Sequence, residues 1–573
     1  MTTTHKTRAL IVVTSMSLMF TALCGRLVQL HVFRHNELSG EASRNREMIV
    51  QRHGRRGEIR DCNGYLLANS QSVRLVCADP SITGSNAAAV AAKLSPLLKM
   101  DVPTLQAKLS GTGKYVRLKP KVDEETAQQI RALKLKGIIF EDQYLRTYPH
   151  AALASHVIGF VDSDHKGVQG IESSMNQYLE GIAGYEVMER DRRGREVRAL
   201  RTEEIEPRDG YHVVLTLDQV IQHIAETELE KAMGEFHPHA GVIIVSRPKT
   251  GEILAMSCRP TFDLNNAGAA VADARRNRCI SDVAEPGSTF KIVVCSGALN
   301  EGLVRLSDTF NCESGAWLYA GRILHDAHPY GTLTVEQILY KSSNIGAAKI
   351  AVLKLGPTRL YEYIRRFGFG RKTGIGLPGE VSGIAHPLAR WNPLSISRIP
   401  MGHEIAATPI QVMMAMNAIC NGGKLMKPLV VKRVVDANGR VVLENAPQQA
   451  GQAISPAATV AMTTALRKVP TPEGTAGKAA VDGYDAAGKT GTAQKIEGGQ
   501  YVNKYYSSFI GYLPGDNPEL SILVSLDEPS GGAYYGGSVS GPVFRRVAEK
   551  VVEYLGLPPQ KPLTNNRQLV SAR

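Results

Sequence analysis

Apolar and polar positions follow different periods in different parts of this chain, and each period marks a kind of element. Residues 9–25 run 17 positions without a charge. At 1.5 Å per residue that is a helix of about 25 Å, close to the ~30 Å hydrocarbon core of a bilayer. Arg26 can snorkel to the interface, and residues 27–30 continue the helix. Ala22-Leu23-Cys24 ends the run with neither a small-residue cleavage site nor a lipoprotein site. The segment therefore reads as an uncleaved single-span anchor. Lys6 and Arg8 precede the span and Arg26 and Arg34 follow it, so flanking charge leaves its orientation open.

Beyond the anchor the pattern mixes periods. Residues 35–51 read as a polar helical neck. Asn63-Gly64 marks a tight turn between short strands, and helical periodicity covers 86–110, 124–136 and 170–181. Asp191-Arg192-Arg193-Gly194 is a second charged turn. A strand at 213–218 leads into a long helix over 219–236. Strands at 241–246 and 252–257 flank the turn Pro248-Lys249-Thr250-Gly251, a hairpin pattern. Helices dominate 288–421, the last closed by the C-cap signal Gly422-Gly423. Strands return at 489–494, 507–512 and 520–526. Val543, Phe544, Val547, Val551, Val552 and Leu555 then mark one helical face, and the chain from 558 is polar and expected to be disordered. This order predicts an α+β multidomain protein: head 1–8, transmembrane anchor 9–32, a mixed α/β pedestal 33–235, a second domain 236–556 and a tail 557–573. In the second domain a sheet of N-terminal and C-terminal strands would enclose a helical insert.

Composition narrows this only a little. A chain of 573 residues is too long for one core. The net charge of +13 suits an acidic polymer, a membrane surface or nucleic acid. No zinc-finger spacing, nucleic-acid motif or concentrated basic tract is present, so a generally basic solvated surface is expected and nucleic acid is not. Arginines 55, 56, 192 and 193 are read as part of that surface. Eight cysteines lie scattered without Cys-x-x-Cys and read as small buried hydrophobes, with one bridge, Cys258–Cys279, left open. The pair His325 and His328 lies in a loop with Asp326 that lacks a third and fourth ligand at usable spacing, so it reads as groove surface and no metal is expected. His403-Glu404 lines a groove or is structural, and both readings stand.

The chemistry centres on Glu285-Pro286-Gly287-Ser288-Thr289-Phe290-Lys291. Pro-Gly breaks the chain and an apolar helix follows. Ser288 would open that helix with Lys291 one turn on, on the same face. A serine hydroxyl needs a neighbouring base, and a lysine can be one if burial or other cations lower its pKa. The helix N-terminus places N–H groups beside the oxygen that becomes anionic. Ser-x-x-Lys alone is common and fits an N-cap serine with a surface lysine. Two further stretches change the weighting: Ser342-Ser343-Asn344, 54 residues on, and Lys489-Thr490-Gly491-Thr492, 147 beyond that. Ser-x-x-Lys, Ser-x-Asn and Lys-Thr-Gly in this order are the signature set of penicillin-binding proteins and serine β-lactamases.

With these stretches and the anchor in hand, the chain resembles a class B penicillin-binding protein of the septal D,D-transpeptidase type. The resemblance runs from Arg56–Gly64 through Gly170-Ile171-Glu172, Arg276-Asn277-Arg278 and Gly368-Phe369-Gly370 to the Lys489 motif. Asn344 in third place of Ser-x-Asn resembles the division type more than the elongation type. Arg247 and Ile292 depart from the family pattern, and neither is chemical. The resemblance implies a penicillin-binding transpeptidase domain, an antiparallel sheet flanked by helices, outside the cytoplasm. Its donor would be a stem peptide ending in D-Ala-D-Ala. Ser288 would be the nucleophile and Lys291 the general base. Ser342 would relay a proton and Asn344 would hold peptide and Lys291. Lys489 would lower the proton affinity of Lys291 by repulsion. Thr490 and Thr492 would bind the terminal carboxylate, and Gly491 would let the strand approach. The N–H groups of Ser288 and Thr492 would form the oxyanion hole. No cofactor is implied. The implied partners are stem peptides, β-lactams, the membrane, a glycan polymerase and divisome proteins. Competing readings are the elongation type, a membrane-anchored β-lactam sensor or scaffold, and a carboxypeptidase or β-lactamase.

Overall fold

A computed structural model describes residues 3–189 and 203–563. The charged turn at 191–194 and the end of the tail, 564–573, lie outside the described residues. Helix Thr3–Val28 continues through a π-helical turn, Gln29–Phe33, into helix His35–Arg46. Thr4–Phe33 is the one stretch among the described residues long and apolar enough to cross a membrane, and its apolar window is unburied. The neck is not helical throughout. Glu47–Arg52 is a strand paired antiparallel with Gly184–Glu189, as suits the adjacent β-branched Ile49 and Val50.

The pedestal is built on a twisted mixed sheet. Ile59–Arg60 pairs antiparallel with Leu66–Ala78 and parallel with His212–Leu215. Leu66–Ala78 also carries Val116–Val122 and Ile138–Thr147. Two more strands of this sheet, Val431–Val435 and Val441–Glu444, come from far along the chain, so backbone pairing crosses the expected boundary at 235. The helical pattern at 86–110 is two helices, Ala87–Leu98 and Val102–Leu109. Lys99 takes a left-handed φ of 50° and Asp101 accepts from Thr104 N to cap the second helix, with Pro103 in its first turn where no N–H is needed.

Arg56 is not a surface residue. It is 5% exposed and its Nε donates to Glu172 Oε2 at 2.7 Å, while Arg146 Nε donates to Glu172 Oε1 at 2.7 Å. Glu172 is fully buried, so two guanidinium groups from distant segments converge on one carboxylate. Arg55 is half-buried, donating to Ser70 O and Asn69 Oδ1.

The second domain has a five-stranded antiparallel sheet in the order Ile253–Arg259, Ala240–Ser246, Leu520–Asp527, Gln500–Leu513, Ala487–Glu497. The two N-terminal strands are buried at every position, the mark of a sheet covered on both faces. Helices Gln219–Phe236 and Gly536–Tyr554 pack on it and on each other, with Glu228 of the first accepting from Arg546 Nε at 2.8 Å and Lys550 Nζ at 2.6 Å. Helix Pro409–Cys420, apolar and buried all round, packs on the same sheet and is closed at its start by a Thr408–Gln411 capping box. The Ala487–Glu497 strand stands at the edge, paired with a neighbouring strand on one side only.

Candidate active site

The Ser288 segment folds as the sequence suggests, with one difference at its start. Gly287–Phe290 is a 3-10 turn that feeds helix Lys291–Asn300. With three residues per turn, positions i and i+3 eclipse, so Ser288 and Lys291 stack directly. Lys291 Nζ donates to Ser288 Oγ at 2.9 Å. Gly287 takes φ 54°, and a Cβ there would lie 2.9 Å from Thr492 O. The turn is thus pressed against the edge strand, and only glycine fits. Gly491 sits across from it: a Cβ would stand 2.3 Å from Ser508 Oγ and 2.8 Å from Thr289 Cγ2.

The Ser342 segment arrives from the helical insert. Helix Val335–Lys341 ends on Ser342 in the left-handed region, φ 63°, a conformation costing a non-glycine residue about 1–3 kcal/mol. That turn aims both the carbonyl and the hydroxyl of Ser342 at Lys291. Nζ donates to Ser342 O at 2.5 Å, to Ser342 Oγ at 3.1 Å and to Asn344 Oδ1 at 2.8 Å. From the edge strand, Lys489 Nζ donates to the same Ser342 Oγ at 2.9 Å. Three separate segments therefore meet at one hydroxyl.

Both lysines are completely buried. Burial brings Lys291 down to about 7, against a smaller upward pull from Asp326 and Cys295. Lys489 is pushed well below the usual lysine range, first by burial and then by the charge of Lys291. Desolvation is the first cause for both lysines, and the repulsion between them acts in the expected direction, against charging both at once. A buried lysine titrating near neutrality can accept the serine proton.

Thr490 is 7% exposed and shares a 3.0 Å hydrogen bond with Thr475 Oγ1. Thr492 is half-buried and accepts from Gly536 N at 3.0 Å, which leaves its O–H free to donate. Thr490 has a hydroxyl proton to offer a ligand only where Thr475 donates in their shared bond, whereas Thr492 keeps its own.

Asp326 has a role that sequence reasoning missed. Its carboxylate accepts from Ser343 Oγ at 2.7 Å, from Asn344 N, and from Ile345 N at 3.1 Å. It clamps the N-terminus of helix Asn344–Ile350, while His325 O accepts from Asn344 Nδ2 at 2.9 Å. His325 and His328 are exposed, and no metal-holding group of three His, Cys, Asp or Glu occurs among the described residues. A second cluster brings His403-Glu404 to Glu285, in the same segment as Ser288. Glu285, its carboxyl raised by burial, accepts from Glu404 N at 2.9 Å and Tyr501 Oη at 3.2 Å. The ring of His403 lies 5.5 Å from that of Tyr501, and burial pushes it down to about 4, so it is neutral at physiological pH.

Comparison with known proteins matches these two architectural units separately. The penicillin binding protein transpeptidase domain model matches residues 241–549, and the penicillin-binding protein dimerisation domain model matches 51–215. The chain is 34% identical to "Probable peptidoglycan D,D-transpeptidase PenA" of Neisseria gonorrhoeae over 98% of this chain and 95% of that one. It is 31% identical to peptidoglycan D,D-transpeptidase FtsI of Escherichia coli K12, covering 95% and 91%. Penicillin binding protein 3 of Mycobacterium tuberculosis, solved in complex with aztreonam, superposes with a TM-score of 0.70 at 28% identity, covering 90% of this chain and 99% of that one.

Proposed function

This chain belongs to the class B penicillin-binding proteins and is a peptidoglycan D,D-transpeptidase, and on that premise we propose that Ser288 carries the acyl group in septal wall synthesis. Lys291, brought down to about 7 by burial and so neutral in a large fraction of molecules near pH 7, takes the Ser288 proton over the 2.9 Å contact. Oγ then attacks the penultimate D-Ala carbonyl of a stem peptide. The oxyanion is held by the N–H groups of Ser288 and Thr492, donors whose individual loss typically costs about 10²–10³ in rate. Ser342, bonded to both lysines, passes a proton to the departing D-Ala amine. Asn344 keeps Lys291 aligned and meets the peptide, and the free side of the edge strand receives the peptide backbone as an added strand. Lys489 supplies positive potential, and Thr492, backed by Thr490, takes the terminal carboxylate. An amine from a neighbouring stem peptide resolves the ester and regenerates Ser288.

A β-lactam imitates the D-Ala-D-Ala end, so covalent penicillin binding at Ser288 belongs to the same proposal. The aztreonam complex of the M. tuberculosis relative supports it. The substrate lies outside the cytoplasm, which orients Thr4–Phe33 as a single-pass anchor with its catalytic domain on the outer side of the inner membrane. The septal role rests on Asn344 and on the likeness to FtsI, with a glycan polymerase and divisome proteins as partners.

The observation that carries the reading is the meeting of Lys291 and Lys489 at Ser342 Oγ beside Ser288. Incubation of the purified full chain with a pentapeptide donor and an amine acceptor tests it. Cross-linked product with one D-Ala released per bond is expected. Trimmed tetrapeptide alone would make it a carboxypeptidase. Depletion in cells should give filaments, and round cells would move it to elongation.

A further inference from the structure

Cys258 and Cys279 face each other inside the catalytic domain, with Sγ atoms 3.5 Å apart. They are 1% and 0% exposed, and both are free thiols in the structure. Cys258 lies in the edge strand Ile253–Arg259, and Cys279 in the short helix Arg278–Ser281. One side chain joins their surroundings: Asn277 Oδ1 accepts from Cys279 N at 3.2 Å and from Cys258 Sγ at 3.6 Å. The other thiols behave differently. Cys62 points at Asp218, Cys77 at the Tyr115 hydroxyl, and Cys312 and Cys420 at backbone carbonyls. Two sulfurs in van der Waals contact need only a small side-chain rotation to reach bonding distance, provided the backbones already lie within disulfide reach.

We propose that Cys258 and Cys279 form a structural disulfide in the mature protein. This rests on the orientation proposed above, because an oxidising compartment holds such a bond and a reducing cytoplasm does not. The oxidant is a protein disulfide of that compartment, of the thiol–disulfide oxidoreductase class. The thiolate of one cysteine attacks it, forming a mixed disulfide and releasing one oxidant thiolate. The thiolate of the second cysteine attacks the mixed disulfide at the sulfur of the first. The Cys258–Cys279 bond forms, and the oxidant leaves as its dithiol, having taken up two electrons and two protons. In the folded chain this route is closed, since neither sulfur reaches solvent and burial pushes the Cys279 thiol far above the usual range. The bond therefore forms while the domain folds, across the 20 intervening residues.

Its place explains its use. Helix Arg278–Ser281 opens the segment that runs through the Ala284–Ala407 bridge to Ser288. The disulfide fastens the start of that segment to the outermost strand of the catalytic sheet. Closing a loop of this size narrows the unfolded ensemble, and its loss is expected to lower Tm by about 5–10 °C.

The test uses full-length protein in its native membrane, quenched with N-ethylmaleimide in denaturant without reductant, then digested for peptide mass spectrometry. A linked peptide pair holding Cys258 and Cys279 is expected, with the other six cysteines alkylated. Protease added to intact cells stripped of their outer layers reports in parallel which side the catalytic domain occupies. If the domain is outside and both thiols are alkylated, the disulfide is wrong and the orientation stands. If the domain is inside, the orientation fails. The disulfide is then judged on denatured chain refolded in a mixed glutathione buffer, where free Cys258 and Cys279 would overturn it. Wild type reduced in denaturant and refolded under reductant should melt below wild type refolded oxidised, while a Cys258→Ala, Cys279→Ala double variant should melt alike after both treatments. An equal effect on both would also overturn it.

Discussion

Lys291 has to be neutral to act as the proposed base, and burial, which brings it down to about 7, should set the pH dependence of acylation. The sign is fixed by the group: below 7 it is protonated and cannot accept from Ser288, and raising the pH frees it. The acylation rate should climb about tenfold per pH unit below 7 and level off above it. A flat profile between pH 5.5 and 8.5, measured by stopped-flow acylation with a chromogenic β-lactam, would contradict this assignment of the base. At this scale the sequence was most legible where a short spacing carries the chemistry, as in Ser288 with Lys291. It was least legible where partners are far apart. Asp326 reaches Asn344 N from 18 positions away and Arg56 reaches Glu172 from 116, and no local pattern announces either. Burial was one of two causes open for Lys291 from the sequence, and the packed core is what puts it first.

Among the elements, the edge strand Ala487–Glu497 and the turn Gly287–Phe290 must lie in contact for the site to close. Gly491 permits this. Gly491→Ala brings a methyl within 2.8 Å of Thr289 Cγ2 and should force the strand away from Ser288. Overpacking of this kind costs about 1–3 kcal/mol, so a modest fall in Tm should accompany a large loss of acylation. Unchanged acylation would mean that the contact does not organise the site. Helix 219–236 was legible to the residue because Asp218 caps it and an apolar face follows. The break at Lys99–Asp101 and the strand Glu47–Arg52 were not. In the first a left-handed residue and an N-cap overrode a continuous helical period, and in the second a strand partner from 184–189 overrode a polar run.

For the whole molecule, the pedestal and the catalytic domain share one sheet, since Val431–Val435 pairs with His212–Leu215. The linear order of motifs gave no hint of this, because the pairing spans more than two hundred positions. The pedestal has its own buried centre at Glu172, where Arg56 and Arg146 converge. Arg56→Ala leaves a buried carboxylate short of one partner, a change that costs about 3–5 kcal/mol. Differential scanning calorimetry should show this as a destabilised pedestal, while the surviving folded protein acylates at its usual rate. A loss below about 1 kcal/mol would mean that Arg146 alone neutralises Glu172.

The central claim is that the three motifs serve a single hydroxyl nucleophile, Ser288. Covalent labelling with a fluorescent penicillin, followed by peptide mapping of the adduct, tests it most directly. Wild type should take up one equivalent on the peptide holding Ser288, and Ser288→Ala none at matched concentration and fold. A stable adduct on the Ser288→Ala protein, or one mapped to any other residue of the wild type, would contradict it.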